Sequence, residues 1–206
     1  MKRFDFSKNE IKDLLITFIV LTISFSILCS EDFNEIPYLI PIVMIGVGLG
    51  SVIRETAVKM TATYFSYWAE YKTFLPGLVL AIFTSFGGFV FSAPGSVYVY
   101  GNATDKEDGL ICLSGILSNI LLTLLFFGLA VLIKTQEIVI NGLSNELLFN
   151  IFAIGFLVNG SIAFFNSFPF GNLDGSAVFR WNPIIWLIVI AFILFVIWQG
   201  NTVFQI

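Results

Sequence analysis

The stretch 110–133, LICLSGILSNILLTLLFFGLAVLI, decides the fold class of this chain. It contains no charged residue. It also exceeds the roughly 20 apolar residues that a helix needs to cross the hydrocarbon core of a bilayer. Four other apolar runs resemble it. We therefore predict one membrane domain over residues 1–206, with spanning helices at 14–29, 36–63, 110–133, 147–165 and 184–198.

The composition supports a membrane protein. Of the 206 residues, 57% are hydrophobic and only 12% are charged. That charged share is about half of the ~25% found in soluble domains. The 24 phenylalanines are more than one aqueous core could bury, so part of the apolar surface must contact the lipid bilayer. The net charge of −4 and the lack of a basic patch argue against a nucleic-acid partner.

One apolar stretch, Phe74–Tyr100, is long enough to cross but is repeatedly interrupted. Pro76-Gly77, Gly87-Gly88 and Pro94-Gly95 are helix breakers, and residues 96–100 alternate like a strand. This pattern predicts a re-entrant segment with a short β-hairpin. The fold class is therefore an all-α integral membrane protein with five spans, or six if residues 74–100 cross the membrane.

The distribution of cations favours five spans, because lysine and arginine collect on the cytoplasmic side of membranes. In the five-span topology nine of the ten Lys and Arg residues share one side, and only Lys134 lies opposite. In the six-span topology the division is eight to two. We therefore predict a multi-pass membrane protein whose N-terminus is cytoplasmic.

Charged residues at the inner end of the second span are the first candidates for chemistry, because charges at membrane depth are expensive. Arg54, Glu55 and Lys59 lie together there. Arg54 and Val58 are four apart and share a helix face. The simpler alternative is that these residues are long side chains that reach the interface from a helix end.

A second polar group follows the fourth span. Asn166 precedes Pro169 and Gly171, which break the helix, and Asp174 is expected on a turn at Gly175. Read alone, this is an ordinary turn between helices. In the five-span topology, however, it emerges on the same side as the charged residues of the second span.

The pattern Asn-x-x-Pro-x-x-x-Leu-Asp-Gly at 166–175, paired with a glutamate in an earlier span, resembles the site-2 protease family of intramembrane zinc metalloproteases. Val178–Asn182 and Ala93–Tyr98 resemble the archaeal branch of that family. The resemblance covers about residues 45–183. It implies a site-2-protease-like core.

The resemblance also implies a His-Glu-x-x-His motif, whose histidines bind zinc with a later aspartate while the glutamate acts as general base. Here Arg54 and Val58 stand at the two histidine positions. Glu55 and Asp174 are kept, whereas Gly171 replaces a proline, and the chain contains no histidine. We therefore expect no zinc or other cofactor, and a vestigial site in which Arg54 pairs with Asp174.

The leading hypothesis is a proteolytically inactive homologue that binds or regulates transmembrane proteins, with single-span proteins as partners. The family binds extended substrates partly through a strand edge. By this resemblance, the residues expected to contact a partner are Asn166, Pro169, Ala93, Pro94, Gly95, Ser96, Val97 and Tyr98.

Two alternatives belong to other classes. The first is an active membrane metalloprotease with unorthodox metal ligands, for which Cys112 would have to be recruited from another span. The second is a small transporter or channel. A transporter needs a polar path across the bilayer, whereas the charges of this chain cluster at one depth.

Overall fold

A computed structural model describes residues 5–136 and 143–204, so the predicted cytoplasmic cations Lys2 and Arg3 lie outside the described residues. The elements, in chain order, are α1 (Lys8–Cys29), α2 (Ile36–Tyr64), β1 (Trp68–Thr73), α3 (Leu75–Ser85), β2 (Gly95–Tyr100), α4 (Asp105–Thr135), α5 (Asn145–Asn166), α6 (Asp174–Trp181) and α7 (Pro183–Phe204).

Five of the helices in the described residues, α1, α2, α4, α5 and α7, are long and apolar enough to cross a membrane. Each predicted span lies inside one of them. The fold class is confirmed: the chain is an all-α, multi-pass membrane protein with a small two-stranded sheet.

Helix α1 begins at Lys8, well before the predicted start of its span. Ser7 caps it, because the Ser7 hydroxyl accepts a hydrogen bond from the Glu10 N–H at 3.1 Å. The Glu10 carboxylate in turn accepts one from the Ser7 N–H at 3.3 Å. This reciprocal capping box stabilises the first turn of the helix.

The sheet differs in connection from the hairpin expected near Ala93–Tyr100. Strand β2 is present, but its antiparallel partner β1 precedes α3, so a helix rather than a tight turn joins the two strands. The register pairs Glu70 with Tyr98 and Lys72 with Ser96. The sequence of β1 shows no clean alternation of apolar residues, which explains why it was missed.

Helix α3 has 11 residues. At a rise of 1.5 Å per residue it is about 16 Å long, roughly half of the hydrocarbon thickness of a bilayer. Its side chains include large exposed apolar groups such as Phe83 and Leu75. The path of residues 74–100 through the membrane stays a prediction.

Helices α2, α4 and α5 form the centre of the protein. A Cβ atom added to Gly46 of α2 would lie 3.1 Å from the Gly155 Cα of α5, so the two backbones are almost in contact. One turn further along α2, Asn119 donates to Asn159 at 3.0 Å between α4 and α5. This close packing fixes the part of α2 that precedes the charged residues Arg54 and Glu55.

Candidate functional site

Three buried charged side chains meet where α2 faces α6. Arg54, Glu55 and Asp174 are only 4%, 3% and 3% exposed. The Arg54 Nη2 donates to the Asp174 Oδ2 at 2.5 Å, and its Nη1 donates to the Glu55 Oε1. The predicted ion pair between Arg54 and Asp174 is therefore present. The guanidinium of Arg54 thus donates hydrogen bonds to the carboxylates of both Asp174 and Glu55.

Asp174 reaches this point because the chain turns sharply after α5. It is the first residue of α6, rather than a turn residue as the sequence predicted. A Cβ atom added to Gly175 would fall on the Ser167 carbonyl, so only glycine allows α6 to start against the end of α5. Gly171 has a φ of +63°, which a proline ring cannot adopt, and this accounts for the departure from the family pattern.

The three positions that the resemblance assigns to metal ligands converge on Gly115 of α4. A Cβ atom added there would lie 2.8 Å from the Val58 Cγ2, and 3.4 Å from both the Arg54 Cγ and the Asp174 Oδ2. The fold therefore gathers Arg54, Val58 and Asp174 at one point, although they come from separate parts of the chain. Gly115 is the small residue that makes room for them.

The side chains at this point do not fit a zinc ion. A guanidinium has five N–H donors and no lone pair for a metal, and the alkyl side chain of Val58 offers no donor atom. The two carboxylates are already engaged by Arg54. Within residues 5–136 and 143–204, no three Asp, Glu, Cys or His side chains cluster closely enough to hold a metal ion.

A small cavity lies beside the three charged residues. Arg54, Glu55 and Asn166 line it, together with Ala93, Pro94 and Gly95 from the segment before β2. Asn166 is itself buried and donates to the Ile162 carbonyl at 2.9 Å. Four of the residues predicted to bind a partner are thus brought next to Arg54 and Glu55.

A larger cleft of about 310 Å³ lies on the other side of Ala93 and Gly95. Its walls are largely apolar and include Phe74, Tyr98 and Phe170. Ser96 also lines it, and the Ser96 hydroxyl donates to the Asn172 carbonyl at 2.6 Å. This bond ties strand β2 to the turn that precedes α6.

A comparison with known proteins identifies the family of the chain. A protein of Methanocaldococcus jannaschii named "Putative zinc metalloprotease" is 35% identical over 191 residues, which is 92% of this chain and 93% of that protein. The chain belongs to this zinc metalloprotease family. No family model matches the chain, and no solved structure matches it.

Two residues of the predicted partner-binding set lie elsewhere. The Val97 side chain packs against the cluster around Val58 and Ile111, on the opposite face of the sheet from Tyr98. Pro169 is half-buried in the turn after α5 and lines neither the cavity nor the cleft. The partly buried Val97 side chain is therefore turned away from the face that carries Tyr98.

Several site residues were missed because their contacts join distant parts of the chain. Tyr71 of β1 lines the small cavity, and its hydroxyl lies 2.9 Å from that of Thr17 on α1. Burial raises the pKa of Tyr71 above its usual range, so the phenol stays protonated. Ser92 also lines the cavity. Neither residue sits in a recognisable motif, so no sequence signal could have found them.

Helix α1 closes the site from one side through a polar stripe. Glu10 accepts a hydrogen bond from the Tyr71 N–H at 3.1 Å, and Asp13 accepts one from the Thr73 N–H at 3.0 Å. With Thr17, these residues follow the spacing of one helix face. The stripe occupies the outer edge of β1, and strand β2 lies on the other side of β1, where Gly95, Ser96 and Tyr98 line the cleft.

Proposed function

We propose that this member of the zinc metalloprotease family is proteolytically inactive, with a site-2-type intramembrane fold, and that it binds single-span membrane proteins. The observation that carries the proposal is the Arg54 guanidinium, which is ion-paired with Asp174 and Glu55 at the point where the ligand positions converge. A zinc ion placed there would be repelled by a permanent positive charge. Glu55, held by Arg54, is no longer free to serve as a general base.

The geometry of the sheet supports the binding half of the proposal. In an antiparallel pair, residues opposite each other point their backbone groups either both inward or both outward. Tyr71 is opposite Val97, and its N–H points outward to Glu10. The Val97 N–H and C=O therefore point outward on the other side, along the free edge of β2. An extended segment can pair with such an edge.

The cleft next to this edge defines the chemistry of the partner. A volume of about 310 Å³ with walls that include Phe74, Phe91 and Phe170 is suited to bulky apolar side chains. A spanning helix that unwinds near its inner end offers both features, free backbone groups and apolar side chains. We propose that such a segment is the ligand of this protein.

The topology puts the cleft at the cytoplasmic side in this proposal. The cations that belong to α1, to the inner end of α2, to β1 and to α6 lie together at one end of the helices. At that end, Lys59 of α2 contacts Glu10 of α1. At the opposite end, Lys134 of α4 donates to the Val203 carbonyl of α7. The excess of cations at the first end supports a cytoplasmic N-terminus.

A reconstituted capture assay tests the binding function. The probe is a single-span reporter whose apolar helix carries a Pro-Gly interruption near its cytoplasmic end, and the control reporter has an uninterrupted polyleucine helix. Val97→Pro removes the outward N–H while keeping the hydrogen bonds between β1 and β2. We expect wild type and Val97→Leu to capture the interrupted reporter and Val97→Pro to lose it. Equal capture by all three chains would contradict edge pairing.

The same reporters test the inactive state. We expect no cleavage product from wild type during prolonged incubation with zinc, and the same result with Glu55→Gln. Cleavage that disappears in Glu55→Gln would show a working metalloprotease and overturn the proposal.

A further inference from the structure

The small cavity beside Arg54 is lined by several buried polar residues. It has a volume of about 20 Å³ and lies between α1, α2, α5 and the segment before β2. Polar residues from each of these elements line it: Thr17, Glu55, Asn166 and Ser92. The cavity is too small for an organic molecule, yet it exceeds the 10–15 Å³, on the order of one probe sphere, that a single water molecule requires.

Three polar atoms of the residues that line this cavity have no hydrogen-bond partner within the described chain. They are the Arg54 Nε, the Glu55 Oε2 and the Ser92 Oγ. Their residues are only 4%, 3% and 1% exposed, so bulk water does not reach them. Buried polar atoms of folded proteins are almost always hydrogen-bonded to protein or to ordered water.

We infer that the cavity holds one ordered water molecule that joins Arg54, Glu55 and Ser92. Its oxygen accepts a hydrogen bond from the Arg54 Nε–H, and its two protons are donated to the Glu55 Oε2 and the Ser92 Oγ. Three bonds are the usual number for a buried water. The bonding pattern also selects the ligand, because the Arg54 Nε–H needs an acceptor, which a cation cannot provide.

The water gives the third nitrogen of the guanidinium a hydrogen-bond partner. Nη1 and Nη2 of Arg54 already donate to Glu55 and Asp174, so Nε is the nitrogen that lacks an acceptor among the described residues. The water joins Nε to the second oxygen of Glu55. All three guanidinium nitrogens of Arg54 and both carboxylate oxygens of Glu55 then take part in hydrogen bonds. This inference does not depend on the capture of a partner.

Nuclear magnetic resonance on protein labelled with ¹⁵N-arginine tests the inference in detergent micelles. The chain has arginine only at positions 3, 54 and 180, and an Arg180→Lys variant assists the assignment. We expect a dipolar cross-peak between a long-lived water and the Arg54 Nε–H. Absence of that cross-peak in the wild type would overturn the inference.

Two variants test whether the water lies in this cavity. Ser92→Val removes a hydroxyl and fills the space with a methyl group, so the cross-peak should disappear. Ser24→Val is the matched control, because Ser24 is also a buried serine whose hydroxyl has no partner among the described residues, but it does not line the cavity. A cross-peak that persists in a folded Ser92→Val variant would contradict the assignment.

A second measurement does not depend on any variant. In an experimental structure of the wild type that resolves solvent, a peak should lie within about 3.2 Å of the Arg54 Nε and the Glu55 Oε2. Well-ordered Arg54 and Glu55 side chains around an empty cavity would overturn the inference.

Discussion

Two buried charge clusters lie about one turn apart on α2, and they differ in how fully the protein bonds them. The site triad consists of Arg54, Glu55 and Asp174, and the anchor pair consists of Lys59 and Glu10. Each cluster is almost completely removed from the surface. The triad combines one cation with two carboxylates, whereas the anchor pair is balanced.

The anchor pair is fully satisfied. The Lys59 Nζ lies 2.5 Å from the Glu10 Oε2 and donates to the Asp5 carbonyl at 2.6 Å. It also lies over the Trp68 ring, 4.9 Å from the centroid. The other oxygen of Glu10 accepts from the Tyr71 N–H. These bonds fasten α1 to α2 and β1.

The site triad, in contrast, leaves the Arg54 Nε and the Glu55 Oε2 without a partner among the described residues. Completed networks fix a structure, while unsatisfied buried groups call for a specific explanation such as a ligand, an ordered water or a functional role. Neighbouring buried charges on one helix therefore serve different purposes. The anchor pair holds α1 against α2 and β1, and the triad lies at the candidate site.

Arg54→Met is expected to have the largest effect. It leaves two buried carboxylates without a cation, and removing one partner of a buried pair costs about 3–5 kcal/mol. We expect a loss of free energy of unfolding at or above the upper end of that range, measured by titration with sodium dodecyl sulfate. Arg54→Lys, the control, keeps the charge and should lose less. Equal losses in the two variants would show that charge is not what the carboxylates need.

Lys59→Met should have the next largest effect, because it strips the cation from Glu10. The loss should be near 3 kcal/mol, at the lower end of the range for a broken buried pair, since Glu10 keeps the backbone donors of Tyr71 and Ser7. The double variant Lys59→Met, Glu10→Gln should be more stable than Lys59→Met alone. The same titration measures both, and a double variant that is less stable would refute the pairing.

Asp13→Ala should have a smaller effect on the attachment of α1. It removes one carboxylate acceptor from the Thr73 N–H in a partly buried position. A hydrogen bond to a charged group contributes about 1.5–3 kcal/mol, and the partly buried position puts this one near the lower end of that range. Asp13→Asn retains an acceptor oxygen and should keep most of the free energy of unfolding. A loss in Asp13→Ala as large as that in Lys59→Met would contradict this ranking.

Arg180→Met should have the smallest effect of the four. Its ion pair with Asp108 measures 2.9 Å, but the Arg180 side chain is 53% exposed. Pairs of this kind contribute at most about 1 kcal/mol because solvent screens them. This variant is the baseline for the buried clusters, and a loss comparable to that of Arg54→Met would show that burial does not set the ranking.

Much of the fold could be predicted from sequence because spanning helices have a local signature. The charge-free run 110–133 identifies its helix without reference to any other part of the chain. The pairing of Arg54 with Asp174 was also predictable, since the family pattern assigns both residues to one site. These predictions use local composition or a known motif, and neither requires knowledge of packing.

The remaining features depend on contacts between distant segments. Glu10 precedes the apolar run of α1, and its sequence position is typical of a solvent-exposed residue that flanks a span. It is instead paired with Lys59, which lies 49 residues further along the chain. From the sequence, Gly115 looks like any small residue of a spanning helix. Its role becomes visible only when the structure shows that the side chains of Val58, Arg54 and Asp174 lie against it. Strand β1 mixes Trp68, Glu70 and Lys72 without a clear period. Its pairing with β2 across α3 determines its structure, and periodicity cannot show that.

The metal content of the purified protein tests whether the Arg54 guanidinium keeps zinc out of the site. Wild-type protein is incubated with zinc, desalted and analysed for bound metal beside a variant with Arg54→His and Val58→His. That variant restores the His-Glu-x-x-His pattern next to Asp174, so it supplies the three ligands of a catalytic zinc site. We expect no zinc in the wild type and one zinc ion per chain in the double variant. Stoichiometric zinc in the wild type, lost in Asp174→Ala, would contradict it.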